Sequence, residues 1–325
     1  MYPFLDWGIP IIEWLQNLGA WLTPLMQAFT FVGDEQFYLL ILPIFVWWFD
    51  VGLGLRIGIG LLLSAGINGS VKLFFGMPRP YWVDPGVKAL SAGTTFGFPS
   101  GHSQSALVVW GRLAAWYKRG GAVIGLGVLI FLISLSRMYL GVHFPTDVLG
   151  GWLIGGLLLW ALVRLDQPLR NWLGRQSLGG QIATVTLTSL AILAIGSIAY
   201  LSTLNRAVPA SWVEMAASKA PEADLIDPQT PDDFITAAGT LLGMGIGGVL
   251  LINWGQFRTN VAWPKRVGRY ILGVVGLLAL YLGLSAIFPK EGILVAALFR
   301  YLRYALLGIW VTYLAPRLFS LFRLS

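Results

Sequence analysis

The chain has 325 residues, of which 56% are hydrophobic and only 11% charged, with a mean hydropathy of +0.72 and a formal net charge of +7. Globular domains carry about 25% charged residues, so a soluble single-core protein is excluded. With no cysteine, a disulfide framework and thiolate chemistry are excluded as well.

The opening stretch, MYPFLDWGIPIIEW, has no Lys or Arg before its apolar part, so the basic n-region of a cleaved signal is not expected. Residues 9–31 hold Ile, Trp, Leu and Phe at helical spacing, interrupted by Glu13, Gln16, Asn17 and Pro24. This pattern predicts an amphipathic helix at the membrane interface, or a re-entrant one. The acidic turn GDEQ follows. Runs of about 20 apolar residues, enough to cross roughly 30 Å of hydrocarbon, then recur. Nine spans are expected at about 36–50, 54–75, 101–117, 121–140, 146–164, 181–203, 233–253, 268–288 and 292–315. The fold class read from the sequence is therefore all-α: a polytopic transmembrane bundle of nine spans plus an N-terminal interfacial helix. Three parts are expected, an N-terminal segment 1–35, a five-helix core 36–165 and a four-helix extension 166–325.

Nine spans place the termini on opposite sides of the bilayer. Fifteen of the 22 basic residues then fall on one side, among them Arg112, Lys118, Arg119, Arg170, Lys265 and Arg266. The opposite side holds Lys72, Arg79, Lys88, Arg137, Arg206, Lys219 and Lys290, together with most of the acids. The positive-inside rule puts the C-terminus in the cytoplasm. The protein is expected to be a multi-pass membrane protein of the bacterial inner-membrane type. The positive charge is this orienting signal, and no nucleic-acid partner is needed to explain it.

Three stretches fall at outward ends of expected helices. KLFFGMPRP brackets six residues with Lys72 and Arg79. FPSGHSQ contains Ser100, Gly101 and His102, and SRMYLGVHFPTD contains Ser136, Arg137, His143 and Asp147. Three cations at one level repel one another unless an anion lies among them. Arg79 and Arg137 can each grip two oxygens of a tetrahedral oxyanion, and Lys72 adds a point charge. Ser100 is a good N-cap, free N–H groups at the helix start favour an anion, and Gly101 permits close approach. His143 and Asp147 stand four residues apart, so one helical turn brings carboxylate to imidazole. That pairing fixes the tautomer, and the free ring nitrogen can attack phosphorus. His102, the other of the chain's two histidines, can protonate the leaving oxygen and later activate water. The alternatives are structural. Lys72 can snorkel to the interface, and Asp147 can be a favourable first-turn helix charge. An ionisable Arg137 inside an apolar run nevertheless reads as functional. GMGIGG at 243–248 reads as close helix packing. The acids of loop 204–232 are too irregularly spaced for a calcium site.

These three motifs resemble the signature of the type 2 phosphatidic acid phosphatase superfamily, which includes the vanadium haloperoxidases. The resemblance is complete over 72–147 and extends over about 36–165. IDPQTPDDFITAAGTLLGMG and the helix count are similar to the nine-helix glucose-6-phosphatase branch. The resemblance implies a helical bundle with a metal-free site and no cofactor. It assigns phosphoryl oxygens to Lys72, Arg79, Ser100, Gly101 and Arg137, the nucleophile to His143, its orienting partner to Asp147 and the acid/base to His102. The expected partners are the bilayer and a phosphorylated lipid substrate bound at the outer face, with a sugar phosphate as the alternative and a phosphate-binding transporter as a further one. Oligomeric state is not legible.

Overall fold

The computed structural model describes residues 3–289 and 291–324; Lys290, counted above among the outward cations, lies outside them. In chain order the helices are α1 (Pro3–Asp6), α2 (Ile9–Asn17), α3 (Thr23–Val32), α4 (Glu35–Ile44), α5 (Val51–Phe75), α6 (Pro80–Val83), α7 (Gly101–Tyr117) and α8 (Gly120–Tyr139). They continue as α9 (Pro145–Arg164), α10 (Asp166–Gly174), α11 (Leu178–Leu201), α12 (Ala210–Lys219), α13 (Asp232–Trp254), α14 (Trp263–Ile287), α15 (Ile293–Ile309) and α16 (Ala315–Leu321). The described residues contain no strand, and the protein is a polytopic helical membrane bundle.

The count of nine spans needs correction. Among the described residues seven helices are long and apolar enough to cross a membrane, or eight if a bent pair is taken as one span. The missing one is α7. It has only 17 residues, and it buries Ser103, Gln104, Ser105 and Arg112. These polar groups are buried, so α7 falls outside a count made by length and apolar content. The bent pair is Ala20–Val32 with Glu35–Phe49, which meet at 52°. The single helix expected over 9–31 is likewise broken. Gly19, at φ +122°, separates α2 from a short 3-10 turn at Ala20–Leu22, and Pro24 opens α3. Within α2 the amphipathic pattern holds: Ile12, Leu15 and Gln16 are buried, whereas Trp14 is 62% exposed.

The chain forms two compact units. The first comprises Met1–Phe37, Ile67–Ala161 and Ile195–Pro231 and contains every candidate site residue. Its core joins Ile12 and Leu15 of α2 to Tyr81, Trp82, Phe96, Leu140, Val142 and Phe144 around the loops that carry the motifs, with Trp212 of α12 among them. Gln16 ties this layer together: its amide donates to Lys88 O (2.8 Å) and Tyr139 O (3.0 Å), and its oxygen accepts from Lys88 N. Small residues let two helices meet. A Cβ at Gly151 would lie 2.7 Å from Ser100 O, and one at Gly155 would lie 2.8 Å from Gln104 O. The backbone of α9 is therefore seated directly on the first turns of α7.

The second unit comprises Tyr38–Gly66, Leu162–Ala194 and Asp232–Ser325. The GMGIGG stretch lies inside α13, where a Cβ at Gly243 would collide with Ala305 O of α15. It is helix packing, as its setting in an apolar run implied. Arg269 of α14 is fully buried; it donates to Trp47 O (3.0 Å) and Leu324 O (2.9 Å), and its guanidinium lies over the Phe257 ring.

Candidate active site

Lys72 is in the last turn of α5, Arg79 precedes α6, Ser100 caps α7, Arg137 is in the last turn of α8, and Asp147 is in the first turn of α9. Each motif thus meets the same region at a helix end, where chain direction changes and side chains converge. Lys72, Arg79, Arg137, His143, Asp147 and Ser100 are all buried.

The loop between α6 and α7 organises the cations. Thr95 Oγ1 accepts from Lys72 Nζ (2.8 Å) and from Arg79 Nη2 (3.4 Å), and Thr95 O accepts from Arg79 Nε (2.7 Å). Arg79 Nη1 donates to Val142 O (3.1 Å) and lies 3.4 Å from His143 Nε2. This loop is itself pinned. Tyr81 Oη donates to Gly93 O, Gly97 N donates to Met77 O, and Leu90 N donates to Leu140 O. A Cβ at Gly93 would sit 2.5 Å from Arg79 Cζ, and one at Gly97 would sit 2.5 Å from Pro78 O. The loop therefore holds the two cations at close range, and these glycines make room for it.

His143 lies between α8 and α9. Its Nδ1 is 3.2 Å from Asp147 Oδ2, which also accepts from Phe144 N (2.9 Å). Oδ1 of Asp147 is buried without a hydrogen-bond partner among the described residues. Burial holds the His143 ring well below its ordinary value, and the nearby Arg79, Arg137, Lys72 and His102 push the same way. The ring is neutral at neutral pH, with Nδ1–H donated to Asp147 and the Nε2 lone pair turned to Arg79.

Ser100 is fully buried. Its Oγ accepts from Ser103 N (3.4 Å) and Ser103 Oγ (3.0 Å), and its N–H donates to Asp147 O (2.9 Å). Its own hydroxyl proton stays available for donation. Gly101 lies against Asn68, whose Oδ1 would be 3.0 Å from a Cβ there. Asn68 in turn donates to Pro99 O (3.2 Å) and Gln104 Oε1 (2.9 Å), which fixes the turn before α7.

His102 and Arg137 have partners that the sequence reading did not single out. His102 Nε2 lies 2.7 Å from Asp34 Oδ1. Arg137 Nη1 donates to Thr30 Oγ1, and its buried Nε has no partner among the described residues. Thr95, Asn68, Thr30 and Asp34 all lie outside the motifs; Asn68 stands one turn before Lys72 on α5, whereas loop closure or a helix break brings in the other three. Three cations face two carboxylates here, with neutral His143 between them. The balance is positive, which suits an anion with several oxygens.

A buried cluster of this kind, assembled at helix ends of a polytopic bundle, is the setting expected of a membrane phosphatase. The chain belongs to the PAP2 superfamily, whose profile matches residues 53–171. A second profile, the transmembrane extension of PAP2 superfamily phosphatases, matches residues 235–325. Phosphatidylglycerophosphatase B of Bacillus subtilis is 31% identical over 169 residues, covering 47% of this chain and 79% of that protein. Glucose-6-phosphatase 3 of Bos taurus is 28% identical over 272 residues, 74% of each chain. An undecaprenyl-diphosphatase of Sulfolobus acidocaldarius is 32% identical over 117 residues, 34% of this chain and 56% of that one.

Proposed function

We propose that this phosphatase hydrolyses a lipid phosphate, phosphatidate-like or a polyprenyl monophosphate or diphosphate, at the non-cytoplasmic face of the membrane, without a metal ion. The observation that carries this reading is the clamping of His143, with Asp147 on Nδ1 and Arg79 beside Nε2. Nε2 is then the attacking atom. The N–P bond forms as the ester P–O bond breaks, and His102 passes a proton to the departing oxygen. Water next gives His102 a proton and takes phosphorus as the N–P bond breaks. Lys72, Arg79 and Arg137 hold the phosphoryl oxygens, assisted by the Ser100 hydroxyl and the first N–H groups of α7 beside Gly101. The core 36–165 carries this chemistry, preceded by the segment 1–35 and followed by the extension 166–325. The bacterial phosphatidylglycerophosphatase and the archaeal undecaprenyl-diphosphatase support a lipid substrate by their names.

A sugar phosphate is the second reading. It is favoured by the alignment with glucose-6-phosphatase 3, which extends over 74% of this chain. The test is phosphate release by the detergent-purified protein from phosphatidylglycerophosphate, phosphatidate, undecaprenyl diphosphate and glucose 6-phosphate. A lipid in first place by kcat/KM supports the proposal. Glucose 6-phosphate in first place transfers it to the second reading.

A further inference from the structure

Asp34 and Thr30 reach the site from the N-terminal segment, upstream of the matched family profile. Thr30 ends near the C-terminus of α3, and Gly33 and Asp34 form the break before α4. The break is closed by Gly33 N donating to Thr30 O (2.8 Å) and Asp34 N donating to Phe31 O (3.0 Å). It is wedged between two helices of the site. A Cβ at Gly33 would lie 2.8 Å from Ile133 Cγ2 of α8 and 3.1 Å from His102 Cδ2 of α7. Phe37, just past the break, packs on Trp110 of α7 with ring centroids 6.2 Å apart. The 52° bend is thus held by packing, and it aims one carboxylate at His102 and one hydroxyl at Arg137. Asp34 Oδ1 meets His102 Nε2 at 2.7 Å, shorter than the 3.2 Å between Asp147 and His143.

We propose that Asp34 is the positioning residue of His102: its carboxylate accepts the Nε2–H, fixes the ring, stabilises its cationic form and leaves Nδ1 as the nitrogen that exchanges the proton. The inference rests on the acid/base reading of His102 given above. Each histidine is then served by its own aspartate. In the first half-reaction the Nδ1 proton of cationic His102 moves to the departing ester oxygen, the P–O bond breaks, the N–P bond to His143 forms, and the Nε2–H stays on Asp34. In the second, water gives a proton to Nδ1, its oxygen bonds to phosphorus and the N–P bond breaks. Arg137 and Lys72 are the other charges whose fields reach His102. Burial opposes a charge on this ring most and the two cations add to it, whereas the Asp34 carboxylate favours the protonated form.

The full-length protein tests this with two esters that differ in the need for a proton on the leaving oxygen. The p-nitrophenolate leaving group of p-nitrophenyl phosphate departs without one, whereas the glycerol oxygen of dioctanoyl phosphatidate needs one. Asp34→Asn should lower kcat on dioctanoyl phosphatidate by about 10–100-fold. Its loss on p-nitrophenyl phosphate should be at least about tenfold smaller, with KM and the vanadate inhibition constant within about threefold of wild type. His102→Ala should show the same ester selectivity with a larger loss. Equal losses on both esters, or loss of vanadate binding together with activity, would make Asp34 a merely structural contact and overturn the proposal. Selectivity in His102→Ala that is absent from Asp34→Asn overturns the proposal alone. A His102→Ala variant without selectivity overturns the acid/base reading and the proposal together.

Discussion

Nη1 of Arg79 stands 3.4 Å from Nε2 of His143, on the side of the ring away from the Asp147 carboxylate. With Nδ1–H committed to Asp147, Nε2 keeps its lone pair beside the cation that would hold a phosphoryl oxygen. A ring nitrogen and a phosphate-binding cation are thereby brought together by two residues 64 positions apart. Replacing His143 with Ala removes the attacking atom and leaves the three cations. Hydrolysis should fall to background, while vanadate binding, measured by thermal stabilisation, should stay within about tenfold of wild type. Retained turnover in that variant would refute the assignment of the nucleophile.

Asp147 acts on the same ring by charge as well as by geometry. A phosphorylated His143 carries N–P on one nitrogen and N–H on the other, so it is cationic. The fully buried carboxylate is its nearest counter-charge. Asp147→Asn keeps the size and loses the charge, and kcat should drop about 10²–10⁴-fold with a smaller change in KM. Pre-steady-state kinetics should place the loss in phosphoryl transfer to the enzyme.

Thr95 gathers two cations through one hydroxyl. Thr95→Ala frees Lys72 from its 2.8 Å contact while Arg79 keeps its bond to the backbone carbonyl. A hydrogen bond to a charged group is worth about 1.5–3 kcal/mol, so the KM and the vanadate inhibition constant should each rise by about tenfold or more. Thr95→Ser should restore both. Equal values in wild type and Thr95→Ala would mean that the hydroxyl does not shape the phosphate site.

The pH profile follows from the His143 environment. Burial first, then Arg79 and the other cations, hold its value well below the ordinary 6.5. The reactive form is the neutral ring. A lowered value keeps the ring neutral as pH falls, and it charges only when pH passes through that lowered value. The acid limb of kcat/KM that belongs to the free enzyme should therefore lie below pH 6.5. Arg79→Ala removes one of the cations responsible, so this limb should move to higher pH in the residual activity.

The three motifs were legible because each is a short run tied to a helix end, so their sequence spacing already fixes one level of the bundle. The Lys72, Arg79, Arg137 and His143 cluster follows from that rule, as does the i,i+4 pair of His143 with Asp147. Asp34 was not legible beyond an acidic turn. It meets His102 across 68 positions, through a break that depends on Gly33 fitting between Ile133 and the His102 ring. Thr30 reaches Arg137 across 107 positions by the same packing. Thr95 was hidden in a loop without periodicity. The span count differs at α7, whose 17 residues and buried Gln104 and Arg112 keep it below the apolar content of a lipid-facing helix. Hydropathy reports on lipid contact and says little about a helix enclosed by its neighbours.

The central claim is a covalent phosphohistidine on His143. The most direct measurement is a rapid alkaline quench of the protein with a radiolabelled phosphate ester that it turns over, followed by peptide mapping. The account predicts an acid-labile, base-stable phosphoryl group on the peptide containing His143, present in Asp34→Asn and absent from His143→Ala. Label that never appears during turnover, or that maps to another residue such as His102, would contradict it.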